Sequence, residues 1–293
     1  MIFDAFSAAV VISVRLLLPG ISMCTAQTLE SKSWLPRIRY GVSVLQVGLV
    51  SNLFIALVLA PFSKWTTNLD WLMWGVLVIG GGFLTKKINV SFWKQNLPAL
   101  SLTGGFLFLS SLIVLLAPPR SEWLAGGWDP GIYQNNAVAI ANADGIQGKT
   151  DSVYSLLSEE GLKLFSQTEG SYREVFPGIP VEEDSRHLPL YFFHLTPLFG
   201  AWLYRFAGLE GLVRSTLFLS LWILPLVWHL FDAWGFRKAS ILGVGMWFSF
   251  PLWQYQLAIP TSEPLYLFLL ISFLISLSRD EEAGWHQVLW TAL

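Results

Sequence analysis

Gly126-Gly127-Trp128-Asp129-Pro130-Gly131-Ile132-Tyr133 decides how the rest of the chain is read. A long apolar run ends just before it, at Pro118-Pro119, and the most polar part of the chain follows. Asp129 therefore falls where a hydrophobic helix meets water. On either side the sequence is apolar enough for membrane.

The 293 residues are 54% hydrophobic and 13% charged, with a mean hydropathy of +0.53. Soluble domains carry about 25% charged residues, so the composition points to an all-α polytopic membrane protein. Fifteen Trp and 21 Phe suit aromatic belts at the two interfaces. A net charge of −2 gives no electrostatic basis for binding nucleic acid. Cys24, the single cysteine, cannot form an internal disulfide, and no His/Cys metal-ligand spacing occurs. The first apolar run has no basic region before it, so it does not read as a cleaved signal peptide.

Apolar length predicts helices at about Ile2–Met23, Tyr40–Phe62, Asn68–Thr85 and Leu97–Pro118, each near the 20 or so residues that cross a bilayer. Pro19-Gly20 should bend the first. Arg15, costly in lipid, should face the protein interior. Gly80-Gly81-Gly82 in the third permits close helix packing. Lys32, Arg37 and Arg39 precede the second helix, and Lys86, Lys87 and Lys94 lie between the third and fourth. The alternate loop, Ser63–Thr67, has only Lys64. Positive charge collects on the cytoplasmic side, so the fourth helix runs outward and Asp129 is extracytoplasmic.

From Pro119 to Arg186 eleven acidic residues stand against five basic ones. A structureless loop of this length is uncommon unless functional, so short helices are expected within it. Asp129 as N-cap, Pro130 at N1 and Gly145 past the end define one to about Asn142. Tyr133, Ala137, Ile140 and Ala141 share a face, as in a helix lying at the interface. A second is expected near Asp151–Ser166. Leu188–Gly208 is apolar but holds Pro189 and Pro197. Read as a half-buried outer helix, it lets Leu212–Trp234 run inward and keeps Arg237-Lys238 cytoplasmic. Ala239–Ile259 then runs outward and Leu265–Ser278 inward, giving about seven transmembrane helices plus juxtamembrane helices in a large outer loop. A last apolar run from Trp285 stops at Leu293, as expected of an incomplete C-terminus.

On this topology two acids, each followed by proline, open helices at one face: Asp129-Pro130 and Glu263-Pro264. A carboxylate at an apolar boundary is partly desolvated, which suits it to general-base work. Both can equally be helix caps, and the two roles are compatible. Arg120, Arg186, Arg205 and Arg214 lie near the same face. An arginine fork suits a lipid phosphate, or snorkels to the interface as an anchor. His187 and His194 flank the Pro-rich segment. The acidic loop has no Asp-x-Asp pair and no recognisable oxygen cage, so the metal ligands stay unknown. A divalent cation between Asp129 and Glu263 stays open as a cofactor.

Gly-Gly-Trp-Asp-Pro-Gly-Ile-Tyr, followed by Ala137–Ala141 and Asp144-Gly145, resembles the first extracytoplasmic loop of GT-C glycosyltransferases. These polyprenyl-phosphate-dependent membrane enzymes include protein O-mannosyltransferases, aminoarabinose transferases and the oligosaccharyltransferase catalytic subunit. His187-Leu188-Pro189, the apolar segment to Gly208 and Arg214-Ser-Thr-Leu-Phe resemble the family's juxtamembrane helix and following span. Thr261-Ser262-Glu263-Pro264 resembles its second acidic loop. The resemblance covers about Leu97–Ser278. It implies a GT-C-like core from 97 to 293, with an extracytoplasmic loop at 119–211, and N-terminal helices in 1–96 additional to it. It also implies Asp129 as the catalytic carboxylate and Glu263 as the second acid.

Tyr133, His187, Arg214 and Arg120 are the candidate substrate-binding residues. The implied reaction moves a sugar from a polyprenyl-phosphate donor to a lipid, glycan or protein acceptor. It would run at the extracytoplasmic face of a bacterial or archaeal plasma membrane, in cell-envelope synthesis. The family's loop usually follows its first helix, whereas here three helices come earlier, and no second acid adjoins Asp129. A non-enzymatic reading, a lipid-linked-sugar transporter or an assembly subunit, competes with this one. So does a relative that binds the lipid without catalysis. A transporter calls for broken helices at mid-membrane, whereas the polar density here gathers at one face.

Overall fold

A computed structural model describes residues 2–24, 34–85, 90–118, 128–146, 158, 160–161, 167–169, 172–174, 180–181, 194–251, 253 and 259–278. Among them are helices α1 (Ile2–Met23), α2 (Trp34–Leu59), α3 (Thr67–Leu84), α4 (Val90–Leu116) and α5 (Trp128–Ala143). Strands β1 (Gln167–Glu169), β2 (Tyr172–Glu174) and β3 (Pro180–Val181) follow. The chain then forms α6 (Leu195–Leu212), α7 (Ser215–Ala233), α8 (Arg237–Ser249) and α9 (Glu263–Leu277). Five helical stretches are long and apolar enough to cross a membrane: Phe3–Met23, Leu35–Phe62, Thr67–Leu84, Leu97–Leu116 and Ser215–Ala233.

Seven spans are expected from sequence, and the difference lies in the last two. α8 stops at Ser249 rather than Ile259, just before Phe250-Pro251, because proline disfavours helical backbone in the residue before it. α9 is apolar but has only 15 residues, about 22 Å at 1.5 Å per residue. Short strands, which the sequence reading did not foresee, occur within 167–181. β1 pairs antiparallel with β2, and β2 with β3. The Glu169↔Tyr172 pair leaves only Gly170-Ser171 between the first two strands, a dipeptide suited to two-residue hairpins. The helix expected near Asp151–Ser166 and the apolar run from Trp285 lie outside the described residues, apart from Ser158 and a helical Glu160-Gly161.

The N-terminal helices close around Arg15. α1 and α2 are antiparallel and so near that a Cβ on Gly48 would sit 2.0 Å from the Leu16 carbonyl oxygen. A Cβ on Gly20 would sit 2.1 Å from that of Val44. Gly20 therefore serves close approach, and α1 runs on through Pro19 to Met23. Of the glycine triplet in α3, Gly81 is the member that meets α1, at Ser22 and Met23.

Arg15 is fully buried, as expected for an interior-facing residue. Its Nη2 lies 2.8 Å from Asp70 Oδ2 on α3, and its Nε donates to Asn52 Oδ1 on α2 at 2.9 Å. Trp71, Trp74 and Phe206 rings surround the guanidinium. With no water in a bilayer core, such groups must be satisfied within the protein.

Contacts between helix ends sort the ends into two sets. Arg39 on α2 pairs with Asp232 on α7 at 2.7 Å, and Trp234 Nε1 donates to Ser278 Oγ beside the end of α9. Arg37 and Arg39 near the start of α2, and the start of α8 at Arg237-Lys238, belong to this end. At the other end Arg214 Nε donates to the Ala117 carbonyl at the end of α4. Ile146, just past α5, donates its amide to the carbonyl of Ala60.

α6 lies across that second end. Its two halves meet at Gly208, which adopts φ 59°. Phe199, Trp202 and Leu203 are buried in the bundle, and Phe199 meets Trp222 of α7 edge-on. α6 is not among the five stretches that qualify as spans, in keeping with the half-buried outer helix expected over Leu188–Gly208.

Removing one member of the Arg15–Asp70 pair strands a buried charge, which costs about 3–5 kcal/mol. Arg15→Leu is therefore expected to lower the thermal unfolding midpoint sharply in detergent. The Arg15→Leu/Asp70→Leu double variant is expected to recover part of that loss. Equal midpoints for the single and double variants would show that the pair is not coupled.

Candidate functional site

The first turn of α5 and the first turn of α9 meet at the end crossed by α6. α5 begins at Trp128, two residues earlier than the capping signals predict, so Asp129 stands inside its first turn rather than at the N-cap. Glu263 is the first residue of α9 and is followed by Pro264. Both carboxylates are exposed. The partial desolvation expected of them belongs instead to their neighbour Tyr133.

Tyr133 follows Asp129 by one helical turn, on the same face of α5, and is only 4% exposed. Burial raises its pKa above 10.0; a side-chain hydrogen bond with Ser262 opposes the shift, and the charges of Asp129 and Glu263 add to it. A single phenol is thus hydrogen-bonded beside α9 and lies in the field of both candidate acids. Two helix N-termini converge here, and each favours negative charge nearby. The site can accept a proton at either carboxylate and offer a neutral phenol as hydrogen-bond donor.

α6 brings a further group towards this end. It lies parallel to α5: Arg205 reaches Ala141 and Asp144, and Gly200 faces Ala137 so closely that a Cβ on the glycine would lie 3.0 Å from the Ala137 Cβ. His194 precedes Gly200 by six residues, about 9 Å along the axis, and so stands level with the first turns of α5. Its buried Nδ1 has no hydrogen-bond partner among the described residues, and burial lowers its pKa, which favours the neutral imidazole.

The far end of α5 is held by a different cluster. Asp144 adopts a left-handed backbone (φ 56°), which aspartate tolerates better than most residues. The helix thus ends at Ala143, one residue past the expected Asn142. The Asp144 carboxylate accepts from Arg205 Nη2 at 2.8 Å. Arg205 Nη1 donates to the Trp65 carbonyl, and its guanidinium lies 4.2 Å from the centre of the Trp65 ring. The Trp65 amide in turn donates to the Asp144 carbonyl at 2.9 Å. Trp65 Nε1 donates to Asp70 Oδ1 at 2.9 Å, so this cluster shares a carboxylate with Arg15.

Arg214 is 5% exposed. It donates to the carbonyls of Ala117 and Glu210 and pairs with the Glu210 carboxylate. His187 and Arg120 lie outside the described residues. Among the described residues no three His, Cys, Asp or Glu side chains gather as metal ligands. Asp129, Tyr133 and Glu263 are brought together, and Arg214 is placed at the end of α4. His194 and Arg205 were placed near this face from sequence, but the mutual contacts of Arg205, Asp144 and Trp65 were not foreseen. Ser262 had a visible signal only as the residue before Glu263. No family model matches the chain, and neither does any curated protein or solved structure.

Tyr133 gives a pH signature. A raised pKa means that the folded protein keeps the phenolic proton to higher pH than the unfolded chain does. Its contribution is full below 10.0 and is lost as pH climbs through the folded value. Tyr133→Phe is expected to flatten the fall in stability above pH 10.0 relative to the parent, measured by thermal unfolding across alkaline pH. Superimposable profiles would show that the phenol is not buried.

Proposed function

We propose that this chain is a membrane glycosyltransferase of GT-C type. It moves a sugar from a polyprenyl-phosphate donor to a lipid, glycan or protein acceptor at the extracytoplasmic face. The observation that carries the reading is the shared neighbourhood of Tyr133: one buried phenol beside Ser262, in the field of both Asp129 and Glu263. The two acids singled out by their Asp-Pro and Glu-Pro placement, 134 residues apart in sequence by their numbers, belong to one surface.

The basic end of the bundle, with Arg37, Arg39, Arg237 and Lys238, faces the cytoplasm by the positive-inside rule. The Asp129 end is then extracytoplasmic, where lipid-linked donors present their sugars to secreted acceptors.

In the proposed transfer, Asp129 accepts the proton of the acceptor hydroxyl as its oxygen bonds to the anomeric carbon. The bond from that carbon to the phosphate oxygen breaks, and the lipid phosphate leaves as an anion. That anion needs charge stabilisation rather than a proton. Arg214, at the junction of α4, α6 and α7, is the candidate cation. Tyr133 stays protonated and serves as a hydrogen-bond donor, while Glu263 positions the reacting groups from the opposite helix.

The test is transfer from a labelled polyprenyl-phosphate sugar by the full-length protein. General-base catalysis contributes about 10²–10⁴-fold, so Asp129→Asn is expected to lose activity within that range. Transfer by Asp129→Asn at the parent rate would remove Asp129 from the mechanism.

A further inference from the structure

The turn between α2 and α3 touches the segment that carries the proposed catalytic carboxylate, but at its opposite end. Ile146 donates to Ala60 at 3.0 Å and Trp65 donates to Asp144 at 2.9 Å. Gly145 packs so tightly there that a Cβ would lie 2.5 Å from both the Ala60 oxygen and the Ser63 Cα. Arg205 closes the arrangement from α6. Its Nη2 reaches the Asp144 carboxylate and the Ala141 carbonyl, its Nη1 reaches the Trp65 carbonyl, and its plane lies on the Trp65 ring. A planar fork holds these three acceptors from two segments through donors on two separate nitrogens in fixed geometry, whereas an ammonium gathers its donors on one atom.

From Asp144 to Asp129 is fifteen residues, about 22 Å along the helix. A swing of about 5° at the Asp144 end would displace Asp129 by about 2 Å over that length. A misplacement of about 1 Å can cost a hundredfold in rate. Holding the far end of α5 is therefore enough to govern where its first turn lies relative to Glu263.

We propose that Arg205 is a positioning residue: with Asp144 and the Trp65 turn it clamps α5 onto α1–α3, and so sets Asp129 and Tyr133 opposite Glu263. The three N-terminal helices then act as the platform for the catalytic helix. The catalytic part of this statement rests on the transferase reading above; the positional part does not.

The experiment uses the full chain in lipid nanodiscs, with Cys24→Ser to remove the native thiol. Asp129→Cys and Glu263→Cys are joined by a bifunctional maleimide of fixed length, and the cross-linking rate reports their separation without any catalysis. Arg205→Gln is expected to change that rate at least fivefold, and Arg205→Lys less. Asp144→Asn, at a half-exposed position that leaves the helices intact, is expected to fall in the same direction.

In chains that keep Asp129 and Glu263, Arg205→Gln is expected to lower kcat for transfer about 10–100-fold, with the donor KM within about twofold, following the geometric cost above. A purely structural loss would instead lower the amount of active protein without changing the cross-linking rate of the folded fraction. Cross-linking and kcat at parent values in both Arg205→Gln and Asp144→Asn overturn the clamp. A parent chain with no transfer activity, but with Arg205-dependent cross-linking, overturns the transferase reading and leaves the clamp standing.

Discussion

Asp70 is the carboxylate on which the half of the bundle beside α6 depends. One oxygen takes Arg15 of α1 and the other takes the Trp65 indole from the turn before α3. A buried charge pair gains little over an apolar core, but an unpaired one is costly. The pair therefore acts mainly as a register device: α1 and α3 can slide past one another only by breaking it. Gly20 and Gly48 make this possible, since only glycine lets α1 and α2 approach closely enough for the short Asn52 side chain to reach Arg15. Asn52 then donates to the Arg15 and Gly48 carbonyls while accepting from Arg15 Nε.

The same carboxylate links the bundle to the surface helices. Through Trp65 it fixes the turn that Arg205 and Asp144 grip, and through Arg15 it meets Phe206 of α6. α6 is thus seated by aromatic burial along its length and by charge at its middle. It cannot shift without moving α5, whose Ala137 packs against Gly200. The candidate site lies at the opposite end of α5 from this anchorage. Its carboxylates stay exposed while the phenol between them is buried, which separates a solvated proton acceptor from a fixed hydrogen-bond donor.

Much of this frame was legible in the sequence because a bilayer restricts it so heavily. Apolar length located five of the seven expected spans, and the placement of Lys and Arg gave an alternation with which the contact of Arg39 with Asp232 agrees. Proline after an acid marked the starts of α5 and α9, and Asp144-Gly145 marked the stop of α5 to within a residue. What could not be read was long-range polar pairing. Arg205 looked like one of four interfacial arginines, because nothing local distinguishes an arginine that grips a turn 140 residues away from one that snorkels. Trp65 looked like one belt tryptophan among fifteen. The strands at 167–181 were missed because they are two or three residues long, below the length at which alternation stands out. α8 was drawn too long because apolar character continues past Pro251, and composition outweighed the proline.

A boundary near residue 96 separates the helices that the GT-C resemblance covers from those it does not, yet polar contacts cross it at both ends of the bundle. At the basic end Arg39 of α2 donates to Asp232 of α7 through both Nε and Nη2. At the other end Arg205 of α6 holds the Trp65 turn. Two such ties, one at each end, resist both rotation and tilt of the two groups of helices, whereas a single tie would leave a hinge. Close packing of α4 on α1 and α2 fills the space between them, as in the Phe6–Phe108 contact. The N-terminal helices are therefore not an appendage. The position of α5, and with it that of Asp129, has its mechanical reference in α1–α3.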